Sequence, residues 1–202
     1  MPSKNKIYTR HGDAGKTTLA SGEKVFKHDL RIAVSGDIDE LNSSLGIILS
    51  FLSVYQQEFH DLTSLIETKL KRIQHELFDL GSQISKCSFY VVDFEKAVIR
   101  LEKEIDEMDQ KLPEIRQFIL PGGHPLSAFF HQSRTICRKA ERSACVLLEE
   151  GNHDLPFIKY LNRLSDYLFT FARWTNIHFG VNEPFWEKQI VDEKTDGDTT
   201  KN

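Results

Sequence analysis

The sequence predicts an all-α fold: an up-and-down bundle of five helices preceded by a glycine-rich segment. Three observations carry this expectation. From Asp37 onward, apolar residues recur every three or four positions in long stretches. Short breaks rich in proline, glycine, asparagine or aspartate separate those stretches. Residues 1–36 show no such period and are interrupted by Gly12, Gly15, Gly22 and Gly36.

Residues 1–36 read as loop and short extended pieces of the same domain, with Ile7-Tyr8-Thr9 and Arg31-Ile32-Ala33-Val34 as candidate strands. Hydroxyls at Thr9, Thr17, Thr18 and Ser21 and cations at Lys16, Lys24 and Lys27 make the segment a candidate phosphate cradle. Glycine lets backbone N–H groups approach phosphate oxygens closely. A solvated arm would have the same composition. Asp37 followed by Glu40 resembles a capping box and opens the first helix, with Ile38, Leu41, Leu45, Ile48 and Leu52 on one face.

In the second helix, Ile66, Leu70, Ile73, Leu77, Leu80 and Ile84 alternate by four and three, the rhythm of a bundle helix. Asp93 can cap a third, with Val98, Leu101, Ile105, Met108 and Leu112 in a stripe that Pro113 interrupts. The fourth starts near Pro125, where proline is tolerated, and runs to Glu150 before Gly151-Asn152. The fifth begins near Asp154 with Pro156 in its first turn and carries Ile158, Leu161, Leu164, Leu168 and Phe171 to about Phe179. The bundle domain is thus expected over residues 37–186, followed by a disordered polar tail at 187–202.

At 202 residues and 23.3 kDa, one well-buried core is the default. A net charge of -4 and a pI near 6.1 disfavour a nucleic-acid partner, which would call for a basic excess. No apolar run approaches the roughly 18 residues of a membrane span, and no secretory h-region opens the chain. Of the 3 cysteines, Cys137 and Cys145 are ~12 Å apart on one helix, too far for a disulfide. Cys87 has no evident partner, so the thiols are expected to pack in the core, and a cytoplasmic location follows.

Gly15-Lys16-Thr17 invites comparison with a phosphate-binding P-loop. That pattern needs a glycine five positions before Gly15, where Arg10 stands, and it needs a strand before the loop and a helix directly after it. The P-loop fold is therefore excluded.

The stretch Phe118–Arg142 is unusual. Arg134, Arg138 and Arg142 lie four residues apart and so share one helix face, where like charges repel by ~0.2–0.5 kcal/mol per pair. Glu141 offsets only part of that charge. A local cationic stripe in an acidic protein points to a small anionic ligand. On the fifth helix Asn162, Asp166, Thr170 and Arg173 form a polar line. It reads either as a solvent face with an Arg163–Asp166 pair or as a face that shares the stripe's ligand. Phe118, ahead of Pro121-Gly122-Gly123, reads by itself as a core plug.

Four blocks taken together carry a resemblance. They are Lys6-Ile7-Tyr8-Thr9-x-x-Gly12-Asp13-x-Gly15-x-Thr17; Gly36-x-x-Asp39-Glu40-Leu41-Asn42; Phe118 to Gly123 with Arg134-x-x-x-Arg138-Lys139-Ala140-Glu141-Arg142; and Leu161-Asn162-Arg163-Leu164-Ser165-Asp166-Tyr167-Leu168-Phe169. In this order and spacing they closely resemble the PduO-type ATP:cob(I)alamin adenosyltransferases over about residues 6–186. The resemblance implies a five-helix bundle assembled as a homotrimer, with the nucleotide bound between subunits.

It implies that Thr9, Arg10, His11, Gly12, Thr17, Thr18 and Lys27 fold over the ATP triphosphate. Arg138, Lys139, Ala140, Glu141, Arg142 and Asn162 would complete the site, with Mg²⁺ bridging phosphate oxygens. Arg134 would pair with Asp39 of a neighbouring subunit. Phe118 would cover the lower face of the corrin ring, displace the nucleotide-loop base and leave a four-coordinate cob(II)alamin.

The implied reaction is attack by cob(I)alamin on C5′ of ATP, forming a Co–C bond and expelling triphosphate. Implied partners are a reductase supplying the electron and an enzyme accepting adenosylcobalamin. Two departures are visible: the family commonly has Thr or Asn at His11 and an aromatic residue at Ser35. A helical module that holds ATP or a corrinoid for a partner enzyme is the alternative, and a structural bundle with a solvated stripe is a third reading.

Overall fold

The structure, a computed structural model, describes residues 7–85, 92–149 and 156–187. It contains a two-stranded hairpin, β1 (Lys16–Thr18) and β2 (Lys24–Phe26), then helices α1 (Leu30–Tyr55), α2 (His60–Ile84), α3 (Phe94–Asp109), α4 (Pro125–Glu149) and α5 (Pro156–His178). The five expected helices are therefore present, and the segment ahead of them holds a small antiparallel sheet.

The first expected helix boundary is corrected. α1 starts at Leu30, where the Asp29 carboxylate accepts a hydrogen bond from the Arg31 backbone N–H at 2.9 Å. Arg31–Val34 is thus helical and not a strand, because Val34 continues the buried face of Ile38, Leu41 and Leu45. Asp37 and Glu40 are consequently not a capping box. They lie inside α1, against α4. Ile7-Tyr8-Thr9 forms no strand either; the paired residues come later, where Thr17 faces Val25.

Asp93 caps α3 as expected, accepting from the Lys96 N–H at 3.1 Å. Leu112 lies beyond the end of α3 yet still packs on the core. Of the expected breaks, Gly151-Asn152 and the start near Asp154 fall outside the described residues, as do Cys87 and nearly all of the tail.

Neighbouring helices meet in the order α2–α1–α4–α5–α3. Alternating chain direction makes α1/α2, α1/α4 and α4/α5 antiparallel, while α3 and α5, both odd-numbered, run parallel. Leu41, Leu45, Leu70, Leu77, Phe130 and Phe171 fill the interior. Burying each such side chain contributes about 1.5–3 kcal/mol.

The ring closes differently between α2 and α3, where charged side chains bridge the helices. Arg72 donates to Glu104 at 2.8 and 3.1 Å, Lys69 pairs with Glu104 at 2.9 Å, and Arg100 pairs with Glu76. Tyr160 and Tyr167 of α5 donate to Glu76 and Glu104, each at 2.8 Å. Burial raises the Glu104 pKa, but the hydrogen bonds from Arg72, Lys69 and Tyr167 outweigh it and hold the carboxyl at about 2. A depressed carboxyl stabilises the fold fully above its unfolded value of 4.5, and that contribution is lost as pH falls from there towards 2. Glu104→Gln is expected to cost about 2–4 kcal/mol at neutral pH and to flatten this acid limb, measured by urea denaturation across pH.

Candidate functional site

The hairpin is held to the bundle at several points. Leu19 and Val25 are buried. The turn closes through Leu19 N–H to Glu23 O and Gly22 N–H to Leu19 O, both 2.8 Å. Arg31 donates to both Glu23 carboxylate oxygens at 2.8 and 3.0 Å while also gripping Asp29. The hydrogen bonds from Asp29 and Glu23 raise the Arg31 pKa further above its usual range. One guanidinium thus fixes the hairpin turn to the start of α1.

Between the hairpin and residues 9–14 lies a cavity of about 720 Å³ lined by Thr9, His11, Gly12, Ala14, Lys16, Thr17, Thr18, Lys24 and Lys27. Most of the N-terminal residues expected from sequence come together here. Arg10 does not line the cavity. Its backbone sits at φ 62° and its guanidinium lies 5.4 Å from the Tyr8 ring centroid. Gly12 lies close to the end of the Lys27 side chain, where an added Cβ would come within 3.2 Å of its ammonium and require that flexible chain to shift slightly. Lys16, Lys24 and Ala14 complete the lining; the two lysines belong to the candidate phosphate cradle that composition suggests, whereas nothing in the sequence points to Ala14. The lining contains hydroxyls, ammoniums and an imidazole but no carboxylate. That chemistry suits a polyphosphate.

A second group sits where the C-terminal half of α4 meets the starts of α1 and α5. Asn162 donates to Glu141 at 2.8 Å, so these two expected residues do meet. Lys139 is ion-paired with Glu40 at 2.6 Å and Asp37 at 3.0 Å, and Asp37 also accepts from Ser143. Ala140 is fully buried and packs in the core, so its side chain does not face this surface. Arg138 and Arg142 are exposed, with Arg142 donating to the Arg138 carbonyl at 3.0 Å. Neither arginine nor Asn162 lines the hairpin cavity of the same chain.

Arg134 is half-buried and lies 5.7 Å from the Phe169 ring centroid, with its Nε finding no partner among the described residues. Burial and then Arg138 lower its pKa. His131, one turn away, is buried, and both its ring nitrogens lack partners there too; burial and Arg134 push it down to about 4, so it is neutral at pH 7. Asp39 is exposed on a different side, at a 230 Å³ pocket formed with Ala20, Ser35, Asn42 and Phe78. Ser35 leaves its hydroxyl buried there without a partner. Ser35→Ala is expected to raise stability by about 0.5–1 kcal/mol in urea denaturation, because it removes an unmet hydrogen-bonding group from a helix.

Phe118 is not a core plug. It is 81% exposed and meets Trp186 edge to face at 6.3 Å between centroids. Its segment is held by the returning chain after α5: Trp186 N–H donates to Phe118 O and Leu120 N–H to Pro184 O, both 2.8 Å. Arg173 anchors that returning chain through a buried pair with Glu183 at 2.9 Å and a bond to Pro113 O. The expected polar line on α5 therefore divides: Asn162 and Asp166 are exposed, with Asp166 paired to Arg163 at 2.9 Å, while Thr170 and Arg173 are buried. No sequence signal announced the Glu183 to Trp186 contacts.

A family model described as Cobalamin adenosyltransferase matches residues 7–175. The chain is 40% identical over 189 residues to a corrinoid adenosyltransferase of Bacillus subtilis, covering 92% of this chain and 94% of that one. It is 39% identical over 186 residues to a cobalamin adenosyltransferase of Cupriavidus metallidurans, covering 92% and 96%. A single-residue variant of a PduO-type ATP:corrinoid adenosyltransferase from Lactobacillus reuteri, complexed with cobalamin and ATP, superposes with a TM-score of 0.81 at 32% identity, covering 91% of this chain and 100% of that one.

Proposed function

The chain belongs to the cobalamin adenosyltransferase family, and from that premise we propose that it transfers the 5′-deoxyadenosyl group of ATP to the cobalt of cob(I)alamin. The observation that carries the ATP half is the hairpin cavity, where three lysines and three threonines face one space without a carboxylate. Cobalt attacks C5′, the Co–C bond forms, and the C5′–O bond breaks with its electron pair leaving on triphosphate. Cobalt is the nucleophile, so the chain's residues contribute positioning and charge stabilisation of the leaving group. Mg²⁺ bound with the nucleotide would supply neutralisation of the triphosphate charge. The oxygen donors the pocket offers nearby are the Thr9, Thr17 and Thr18 hydroxyls.

The site is completed by a second subunit. Arg138, Arg142 and Asn162 stand apart from the hairpin cavity of their own chain, and Asp39 and Arg134 occupy different sides of it. The Arg134 Nε without a partner supports a contact with Asp39 of a neighbouring subunit in a homotrimer. Lys139, held by Asp37 and Glu40, ties α4 to α1 beside the nucleotide-binding arginines. The cytoplasm, with a reductase and an acceptor enzyme for adenosylcobalamin, completes the reading.

Phe118 and Trp186 offer an exposed aromatic surface to the corrin face. Apolar cover there keeps water and the nucleotide-loop base off the axial position, which eases reduction of cob(II)alamin. Phe118→Ala is expected to slow the reaction that starts from cob(II)alamin by about 10–100-fold, matching the loss of one buried aromatic contact. The rate from pre-reduced cob(I)alamin should change much less, and equal losses in both assays would refute the assignment. The function itself is tested by anaerobic mixing with ATP, Mg²⁺ and reduced cobalamin. An alkylcobalamin spectrum is expected; ATP binding without that change would favour a cofactor-carrying module.

A further inference from the structure

The imidazole of His124 joins the two stretches of chain that carry Phe118. His124 stands directly before Pro125, and its carbonyl accepts the Ala128 N–H at 3.0 Å, so it occupies the N-cap of α4. Its own side chain makes the cap, because Nδ1 accepts the Leu126 N–H at 3.3 Å. That bond requires an unprotonated Nδ1 and a neutral ring.

The ring also spans between elements. It stacks on Phe179 at 4.0 Å between centroids and meets Tyr55 of α1 at 4.7 Å. Phe179 is the first residue after α5, and the chain it begins runs to Pro184 and Trp186, which bond the backbone of Leu120 and Phe118. On the other side, the His124 N–H donates to Asn176 Oδ1, and Ser127 Oγ donates to Gly122 O at 3.2 Å. His124 thus touches both the end of the Phe118–Gly123 segment and the start of the returning chain.

The groups facing it are Tyr55 from α1, the Asn176 amide from α5 and the Phe179 ring. Among the described residues no carboxylate or cation pairs with its ring, and His178 is turned to the Trp174 carbonyl at 2.8 Å. Burial lowers the His124 pKa from 6.5, and the positive end of the α4 dipole acts in the same sense. The folded chain therefore favours the neutral ring. Its contribution is complete above 6.5 and is lost as pH falls through the lowered value.

We propose that His124, as a neutral imidazole, is a positioning residue for the step that starts from cob(II)alamin, holding the Phe118–Gly123 segment in place. The proposal rests on the corrin reading of Phe118. Protonating the ring removes the acceptor for Leu126, loosens the segment and slows that step.

The test compares the full-length parent with His124→Asn, whose side-chain oxygen caps a helix without titrating. Both are assayed at about pH 7.5 and about pH 5.5, which bracket the ordinary imidazole value. Each receives ATP and Mg²⁺ with either cob(II)alamin plus reductant or pre-reduced cob(I)alamin. The ratio of the two rates is taken within each protein, so that any loss of folded enzyme cancels. In the parent the ratio should fall about five- to tenfold at the lower pH, the factor that one lost cap contact corresponds to. In His124→Asn it should stay flat. Protection of the Leu126 amide against hydrogen exchange, relative to an unstructured peptide at the same pH, should follow the same pattern. Equal pH dependence of the ratio in the two proteins overturns the proposal, as does pH-independent Leu126 protection in the parent. If the parent forms no adenosylcobalamin even from cob(I)alamin, the adenosyltransferase reading fails and the proposal with it. Leu126 exchange still reports the cap in that case, so the two failures are distinguishable.

Discussion

Replacing Arg138 by alanine is expected to weaken ATP binding by about 100-fold or more while leaving the fold intact. A guanidinium on a phosphate oxygen makes a charge-assisted hydrogen bond worth about 1.5–3 kcal/mol, and a bidentate grip makes two. Arg138 is exposed on α4, and among the described residues its guanidinium makes no hydrogen bond or ion pair, while its backbone carbonyl accepts from the Arg142 side chain. Its side chain therefore supports little of the bundle, and alanine is the better helix former by a few tenths of a kcal/mol. Lysine should rescue only in part, because a point charge lacks the planar fork. Calorimetry with ATP, alongside a thermal melt, separates binding from folding. Unchanged ATP affinity in a folded variant would return the arginine stripe to a solvated surface.

Gly123→Ala is expected to be the most damaging single substitution for stability near the site. Gly123 has φ +95°, and an added Cβ would lie 2.4 Å from Asn176 Oδ1 and 2.7 Å from its Nδ2. Asn176 has no room to yield: it is fully buried, its Oδ1 accepts from His124 N–H at 2.8 Å and its Nδ2 donates to Gly122 O at 3.2 Å. The left-handed backbone costs a side-chain-bearing residue about 1–2 kcal/mol, and each buried hydrogen bond left unmet costs about 1–3 kcal/mol more. A loss of about 3–5 kcal/mol in urea denaturation follows. Because this knot ties the Phe118–Gly123 segment to α5, the variant should also lose the cob(II)alamin-dependent rate before it loses ATP binding. A wild-type denaturation midpoint would contradict the assignment.

The bundle was legible because burial repeats at helical spacing. Ile66, Leu70, Ile73, Leu77 and Leu80 all reach the core as their period implied. The start of α1 was misread because Asp37 and Glu40 imitate a cap, while the real cap, Asp29, precedes an Arg31 that looks like part of a strand. Strands of three residues are too short to show a period, so the hairpin was hidden in a segment that composition marked only as glycine- and lysine-rich. In the site, residue types pointed to phosphate chemistry, and Thr9, Gly12, Thr17, Thr18 and Lys27 do converge. What spacing could not show is which charges already have partners. Lys139 is committed to Asp37 and Glu40, Ala140 faces the core, and Phe118 stands exposed because a later segment, through Trp186, holds its backbone at the surface. Long-range contacts of that kind leave no local pattern.

The central claim is that this chain joins cobalt to C5′ of ATP and releases triphosphate intact. The direct measurement is anaerobic incubation of the full chain with ATP, Mg²⁺ and chemically reduced cobalamin, followed by quantifying the light-sensitive adenosylcobalamin and the phosphate-containing products from the same reaction. The account predicts equal molar amounts of adenosylcobalamin and triphosphate. Release of ADP and phosphate, or no Co–C bond under conditions where the Bacillus subtilis relative turns over, would contradict it.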